Sequence, residues 1–265
     1  MALQRKNWHS LIIESDERHV VYVTLNVPDK RNALSASMIS ELSEVAVQLS
    51  QCPTTRAVVL RGNGSVFCAG GDLTWMQAQI KADRPTRIIE AKKLAMMLHA
   101  WNTLPKPVIG SVHGGAYGGG AGLCCVCDVT IAANDTRFGF TETKLGLIPA
   151  TISPYVIARL GEGPARRVFM SARVFGAMEA ESLGLISQSV EQCDLHLAVE
   201  KEVEPYLHTA PVAVGASKAL ARALGPVINQ ASIDDSINRL ADSWETDEAA
   251  VGIDAFLNRT QPPWS

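Results

Sequence analysis

The apolar residues follow two periods. "SLIIES" and "HVVYVTLN" are β-branched runs parted by "DERH", which predicts a β-hairpin near the start of the chain. In "SASMISELSEVAVQLSQCP" the apolar positions Met38, Leu42, Val45 and Leu49 recur every three or four residues. That places them on one helical face, and Pro53 stands just past the end of it. "RAVVLRG" reads as a short buried strand that ends in the loop "GNGSVFCAGGD". A long helical stretch over roughly 73–103 follows, bent at Pro85. "KPVIGSVHG" is a further strand, again followed by glycines and an apolar helix, and "DVTIAA" and "RFGF" are short strands. The recurring unit is strand, glycine-rich loop, helix. It predicts an α/β architecture with both glycine loops on one edge of the sheet. Beyond about residue 195 the pattern turns wholly helical, in "LHLAVEKEVEPYLH", "PVAVGASKALARAL" and "SIDDSINRLADSWETDEAAVGIDAFLN". The division expected is a core over 1–195 and a helical region over 196–265, serving as an oligomer contact or a lid.

Composition narrows the function classes. With 265 residues and 47% hydrophobic content, the chain can bury a large core. The net charge is -3 and no block of five like charges occurs, so neither nucleic acid nor an anionic membrane is expected as a partner. The short basic spots "PDKRN" and "PARR" read as solvated surface. The first residues lack the apolar run of a secretory signal, and no stretch approaches a membrane span, so the expected location is cytoplasmic. The six cysteines then read as reduced core residues.

The segment "GAYGGGAGLCCVCD" at 115–128 concentrates glycine and cysteine. It is not a phosphate-binding loop: no G-x-x-x-x-G-K-[ST] occurs, and each candidate G-x-G-x-x-G fails at its last position. Cys124 and Cys127 form a C-x-x-C inside an apolar helix without the further ligands that zinc needs, and read as small buried hydrophobes. What is left is backbone. Glycines before a helix leave N–H groups unpaired, and a second such loop, "FCAGGD", could bring another donor to the same oxygen. Two convergent N–H donors are what an oxyanion hole requires; tight packing is the plain alternative.

"RNALS" at 31–35, "FCAGGDL" at 67–73, "KPVIGSVHGGAYGGGAGL" at 106–123, "CDVTIAA" at 127–133 and "FGFTETKLGLIP" at 138–149 resemble, in order and spacing, the crotonase (enoyl-CoA hydratase/isomerase) superfamily. "EAAVGIDAFLNRTQPPW" is similar to its usual ending. The resemblance implies an α/β fold: a ClpP-like spiral of ββα repeats with a C-terminal helical trimerisation region, the trimers commonly paired into hexamers. It implies an acyl-CoA thioester as ligand and no separate cofactor, coenzyme A being part of the substrate. By motif position, the N–H groups of Gly71 and Gly119 would form the oxyanion hole. Ala69 and the segment Gly71, Asp72, Leu73 and Thr74 would run past the CoA, Ala33 would belong to a second CoA-contacting stretch, and Arg31 or Lys30 would meet a CoA phosphate. Phe256 and Arg259 would reach a neighbouring subunit's CoA.

Typical hydratases of this family carry two glutamates. The second is present here as Glu142, where burial would raise its pKa and suit it to proton transfer; a plain helix-start carboxylate is the alternative. The first position holds Gly122. "GGGAGL" followed by "TETKLGLIPATISPYV" resembles a bacterial branch of 3-methylglutaconyl-CoA hydratases that tends to have glycine there, with a relative acting on a longer glutaconyl thioester in acyclic-terpene degradation. The expectation is that the substrate's own carboxylate occupies the space near Gly122 and helps hold the water. Tyr117 and Tyr155 read as core aromatics, with contact to water or substrate as the alternative, and His113 as structural. The leading reading is therefore an enoyl-CoA hydratase with one catalytic glutamate, acting on 3-methylglutaconyl-CoA or a branched dicarboxylic relative. A Δ3,Δ2-enoyl-CoA isomerase and a non-catalytic CoA- or RNA-binding homologue are the alternatives. Pocket walls are expected from the 74–103 segment and the C-terminal helices.

Overall fold

A computed structural model describes residues 7–265. The predicted hairpin forms as β1 (Leu11–Ser15) and β2 (Val20–Leu25), antiparallel. β2 continues into a parallel array through β3 (Ala57–Gly62), β4 (Val108–Val112), β6 (Val129–Ala133) and β9 (Gln188–Val190), giving the order β1-β2-β3-β4-β6-β9. A second sheet of three short strands holds β5 (Gly115–Tyr117), β7 (Arg137–Gly139) and β8 (Val174–Gly176).

The pleat of the large sheet divides its side chains between two cores. Val21, Val23 and Leu25 of β2, Val58 and Leu60 of β3, and Val108 and Val112 of β4 face the main core. There they meet α1 (Ala36–Gln51), α3 (Arg84–Thr103) and α4 (Gly119–Val126), and the same core takes in residues of α5 (Ser153–Leu160), α6 (Glu162–Ser171) and α7 (Ala177–Ser182). Met38, Leu42, Val45 and Leu49, the four residues of the predicted helical face, are fully buried in it. Val20, Ala57, Val59, Ile109 and Ile131 point the other way, onto α8 (Leu195–Leu207).

Three differences from the sequence reading have local causes. The helix over 73–103 is two helices, α2 (Leu73–Lys81) and α3, rather than one bent rod. Asp83 caps α3 by accepting from the Thr86 N–H, and Pro85 sits in the first turn, where its missing N–H costs nothing. Helix α8 is not part of a peripheral region: Leu195, Val199 and Val203 repeat every four residues and cover the sheet's second face. Cys193 is exposed, whereas the other five cysteines are buried. β8 and β9 fall in "RVFG" and "QSV", too short to show a period.

Among the described residues no strand follows β9. Helix α9 (Pro211–Leu224) buries no residue and exposes Val212, Leu220 and Leu224. Helix α10 (Gln230–Trp244) packs Ile233 and Ile237 onto Ala91 and Ala95 of α3. Helix α11 (Asp247–Asn258) lies against the short 3-10 turn Glu142–Leu145. No described helix is long and apolar enough to cross a membrane.

Candidate active site

The loops after β3 and β4 leave neighbouring parallel strands at the same end, as the strand–loop–helix pattern predicts. Two isolated bridges tie them down. In one, the N–H of Leu34 donates to the Gly70 carbonyl (2.7 Å) and the N–H of Asp72 to the Leu34 carbonyl (3.3 Å). In a parallel bridge the residue between two such bonds turns its own N–H away, so Gly71 presents a free donor. A Cβ on Gly71 would meet nothing within 4 Å, so the space beside it is open. In the other bridge Cys68 pairs with Ala116, which registers the first glycine loop on the second. The N–H of Gly118 donates to the Gly139 carbonyl (2.9 Å), and Gly119, opening α4, has no intrahelical acceptor for its own.

Gly118 has φ +47, a conformation that disfavours any side chain, and a Cβ there would stand 2.8 Å from Glu142 Oε1. Glycine at 118 is what lets the Glu142 carboxyl lie directly against the loop. Among the described residues that carboxyl has no ion-pair partner, and its buried Oε2 has no hydrogen-bond partner. Burial in these surroundings pushes its pKa up to about 7. The residue as a whole is half-buried.

A cavity of about 390 Å³ brings Gly71, Gly119 and Glu142 together. Its walls are largely apolar. Trp75, Met76, Ala91 and Leu94 come from α2 and α3, and Leu240, Trp244 and Phe256 from the C-terminal helices. These are the two regions expected to supply the walls. Lys144 is the one cation among the lining residues, and Tyr117, Thr141 and Thr151 contribute hydroxyls. The described residues contain no group of three or more His, Cys, Asp or Glu placed to share a metal ion.

Other expected residues fall in and out of the cavity. Ala69 and Leu73 line it; Arg31, Ala33, Asp72, Thr74 and Arg259 do not. Asp72 is buried, and its carboxylate is occupied by structure: it caps α2 through the Trp75 N–H (3.1 Å) and pairs with Lys30 at 3.7 Å. Ala33 spends its N–H on Lys30 and its carbonyl on Ser35. Arg31 is exposed, and its carbonyl accepts from Ala69. Phe256 lines the cavity of its own chain, and Arg259 caps α11 in the left-handed conformation. Tyr155 is a core aromatic whose hydroxyl donates to the Ala95 carbonyl (3.3 Å). His113 bonds the Gly64 carbonyl (2.8 Å). The cysteines of the glycine segment are fully sequestered, and burial pushes the Cys125 and Cys127 thiols up to about 12.

The expectation for Gly122 is overturned. A Cβ at this position would overlap Ile152 Cγ2 and lie 3.0 Å from Ile152 Cβ. Ile152 is buried and closes the space, so no substrate carboxylate can occupy it. The glycine is there because an isoleucine lies on it. Nothing in the sequence around Gly122 announced this, because Ile152 is thirty residues away in the next helix–loop unit.

Two free N–H donors facing one cavity stabilise a developing oxyanion, and a carboxyl that titrates near neutrality both accepts and donates a proton. The sequence profile of the enoyl-CoA hydratase/isomerase family matches residues 15–265. The chain belongs to this family. A putative enoyl-CoA hydratase of Thermus thermophilus is 31% identical over 255 residues, covering 95% of this chain and 99% of the relative. Among solved structures of the family, an enoyl-CoA hydratase from Shewanella pealeana is 34% identical with a TM-score of 0.80, covering 97% of each chain. AtuE of Pseudomonas aeruginosa is 36% identical with a TM-score of 0.79, covering 97% of this chain and 99% of its own. The fold is thus the α/β crotonase fold of the enoyl-CoA hydratase/isomerase family.

Proposed function

We propose that the protein is an enoyl-CoA hydratase that adds water reversibly across the 2,3 double bond of a 2-enoyl-CoA, using Glu142 as its single acid–base group. The observation that carries this is the unpartnered Glu142 carboxyl sharing a cavity with the free N–H groups of Gly71 and Gly119. Glu142 takes a proton from water as the oxygen bonds to Cβ. The electron pair of the double bond moves onto the thioester oxygen, which Gly71 and Gly119 hold as an enolate. The enolate collapses by taking a proton at Cα from Glu142, which restores the carboxylate. A pKa near 7 suits both half-reactions.

The substrate proposed is 3-methylglutaconyl-CoA or a related branched dicarboxylic acyl-CoA, on the resemblance of the "GGGAGL" and "TETKLGLIPATISPYV" segments. Its second carboxylate cannot lie at Gly122. Lys144 is the lining cation available to it, and the apolar walls suit the branched hydrocarbon. Assembly into trimers or paired trimers, supported by the uncovered apolar residues of α9, belongs to the same proposal.

A second reading, Δ3,Δ2-enoyl-CoA isomerisation, is favoured by Ile152 standing where a second acid would be, because one carboxyl alone can shuttle a proton between two carbons. Product mass on a panel of crotonyl-, 3-enoyl-, 3-methylcrotonyl- and 3-methylglutaconyl-CoA separates the readings. Hydration predicts a gain of one water that Glu142→Gln suppresses about 10²–10⁴-fold, with thioester binding retained. Turnover of the 3-enoyl thioester at unchanged mass would replace hydration by isomerisation. Hydration of the monocarboxylic thioesters alone would remove the glutaconyl assignment and leave the reaction standing.

A further inference from the structure

A single carboxylate leaves the attacking water with one anchor, and proximity demands a second. The wall that would supply it is closed by Ile152. Residues with three hydroxyls line the cavity, and none of these hydroxyls has a hydrogen-bond partner among the described residues. Tyr117 folds back along its own strand, its hydroxyl 3.3 Å from where a Cβ on Gly115 would be. Thr141 precedes Glu142 and rests its methyl near Gly139, on the side that already carries the acid. Thr151 adjoins Ile152. It is 93% buried, since only 7% of its surface is accessible, yet its hydroxyl is neither bonded nor sealed in. A hydroxyl that opens onto the cavity without a protein partner is free to bond a molecule held there.

We infer that Thr151 is the second anchor of the reactive water, bonding it through the side-chain hydroxyl while Glu142 removes its proton. This rests on the hydratase reading above. In it, Ile152 and Thr151 share the work of the missing acid: the isoleucine fills its volume, and the threonine takes over its hydrogen bond without adding a charge. Thr151 orients water and does not exchange protons with substrate.

The test uses the full-length protein with Thr151→Val, which keeps the shape and deletes the hydroxyl, and Thr151→Ser, which keeps the hydroxyl. Steady-state hydration is followed on crotonyl- and 3-methylglutaconyl-CoA across pH. Thr151→Val is expected to lower kcat about 10-fold, in line with loss of one hydrogen bond. KM and the pH midpoint set by Glu142 should stay in place, and Thr151→Ser should recover most of the rate. Wild-type kcat in Thr151→Val overturns the inference. So does a loss shared by Thr151→Ser or accompanied by a moved pH midpoint, which marks a packing role. A wild-type protein that hydrates none of the thioesters overturns the hydratase reading, and the water anchor with it.

Discussion

The two ends of the parallel sheet treat a carboxylate in opposite ways. At the start of β4 and β6, Asp128 accepts from the Val108 N–H and pairs with Lys218 at 2.8 Å. Arg159 beside it spends its guanidinium on the carbonyls of Cys124, Cys127 and Asp128. At the other end Glu142 has no cation and an empty Oε2, and its pKa rises to about 7. The first arrangement satisfies the charge and holds strands together. The second leaves the charge unsatisfied, which is unfavourable to stability and useful for proton transfer. A carboxylate held by a lysine and a backbone N–H is thus structural, and one without such partners fits the acid–base role proposed for Glu142.

The comparison can be broken from either side. Putting a second carboxylate beside the first, with Gly122→Glu, should have the largest effect. The new side chain would overlap Ile152, and more than about 3 kcal/mol of stability should be lost, read as a drop in denaturation midpoint without any gain in hydration rate. Making the paired end resemble the unpaired one comes next. Asp128→Asn strands Lys218, whose side chain is only 12% exposed, and should cost about 2 kcal/mol in urea melts while leaving kcat per folded molecule unchanged. Neutralising the unpaired end should sharpen the contrast. Because the folded state raises the Glu142 pKa from 4.5 to about 7, it holds that proton more tightly than the unfolded chain. Stability is thus lost as pH rises between those values, by up to about 3 kcal/mol. Glu142→Gln should match wild type near pH 4 and exceed it at pH 8.

Much of this was legible beforehand, for identifiable reasons. The face of α1 and the β-branched runs of β1 to β4 carry their period locally, so pattern alone placed them. Glu142, Gly71 and Gly119 follow from the resemblance of their motifs to the family, and all three line the cavity. The failures concern contacts distant in sequence. Asp72 stands inside a ligand-binding motif, yet its side chain is a helix cap, which spacing does not distinguish. Gly122 read as a vacancy because a glycine states only that no side chain is present, not what fills the space. Ile152, Thr151 and Lys144 lie within a recognised segment, but only folding assigns each to a wall.

The turn bearing Glu142 touches α11 backbone to backbone. A Cβ on Gly146 would fall 2.5 Å from Ala249 N, and one on Gly252 would fall 2.6 Å from the Leu145 carbonyl carbon. Leu147, Trp244, Ala249 and Ile253 seal the same junction. The acid is synthesised long before the helix that braces it. A nascent chain that has extruded both glycine loops and Glu142 but not α11 lacks the support for the Glu142 turn. The turn bearing Glu142 thus depends on a helix more than a hundred residues further along the chain, and a chain cut before Asp247 is expected to leave that turn unset.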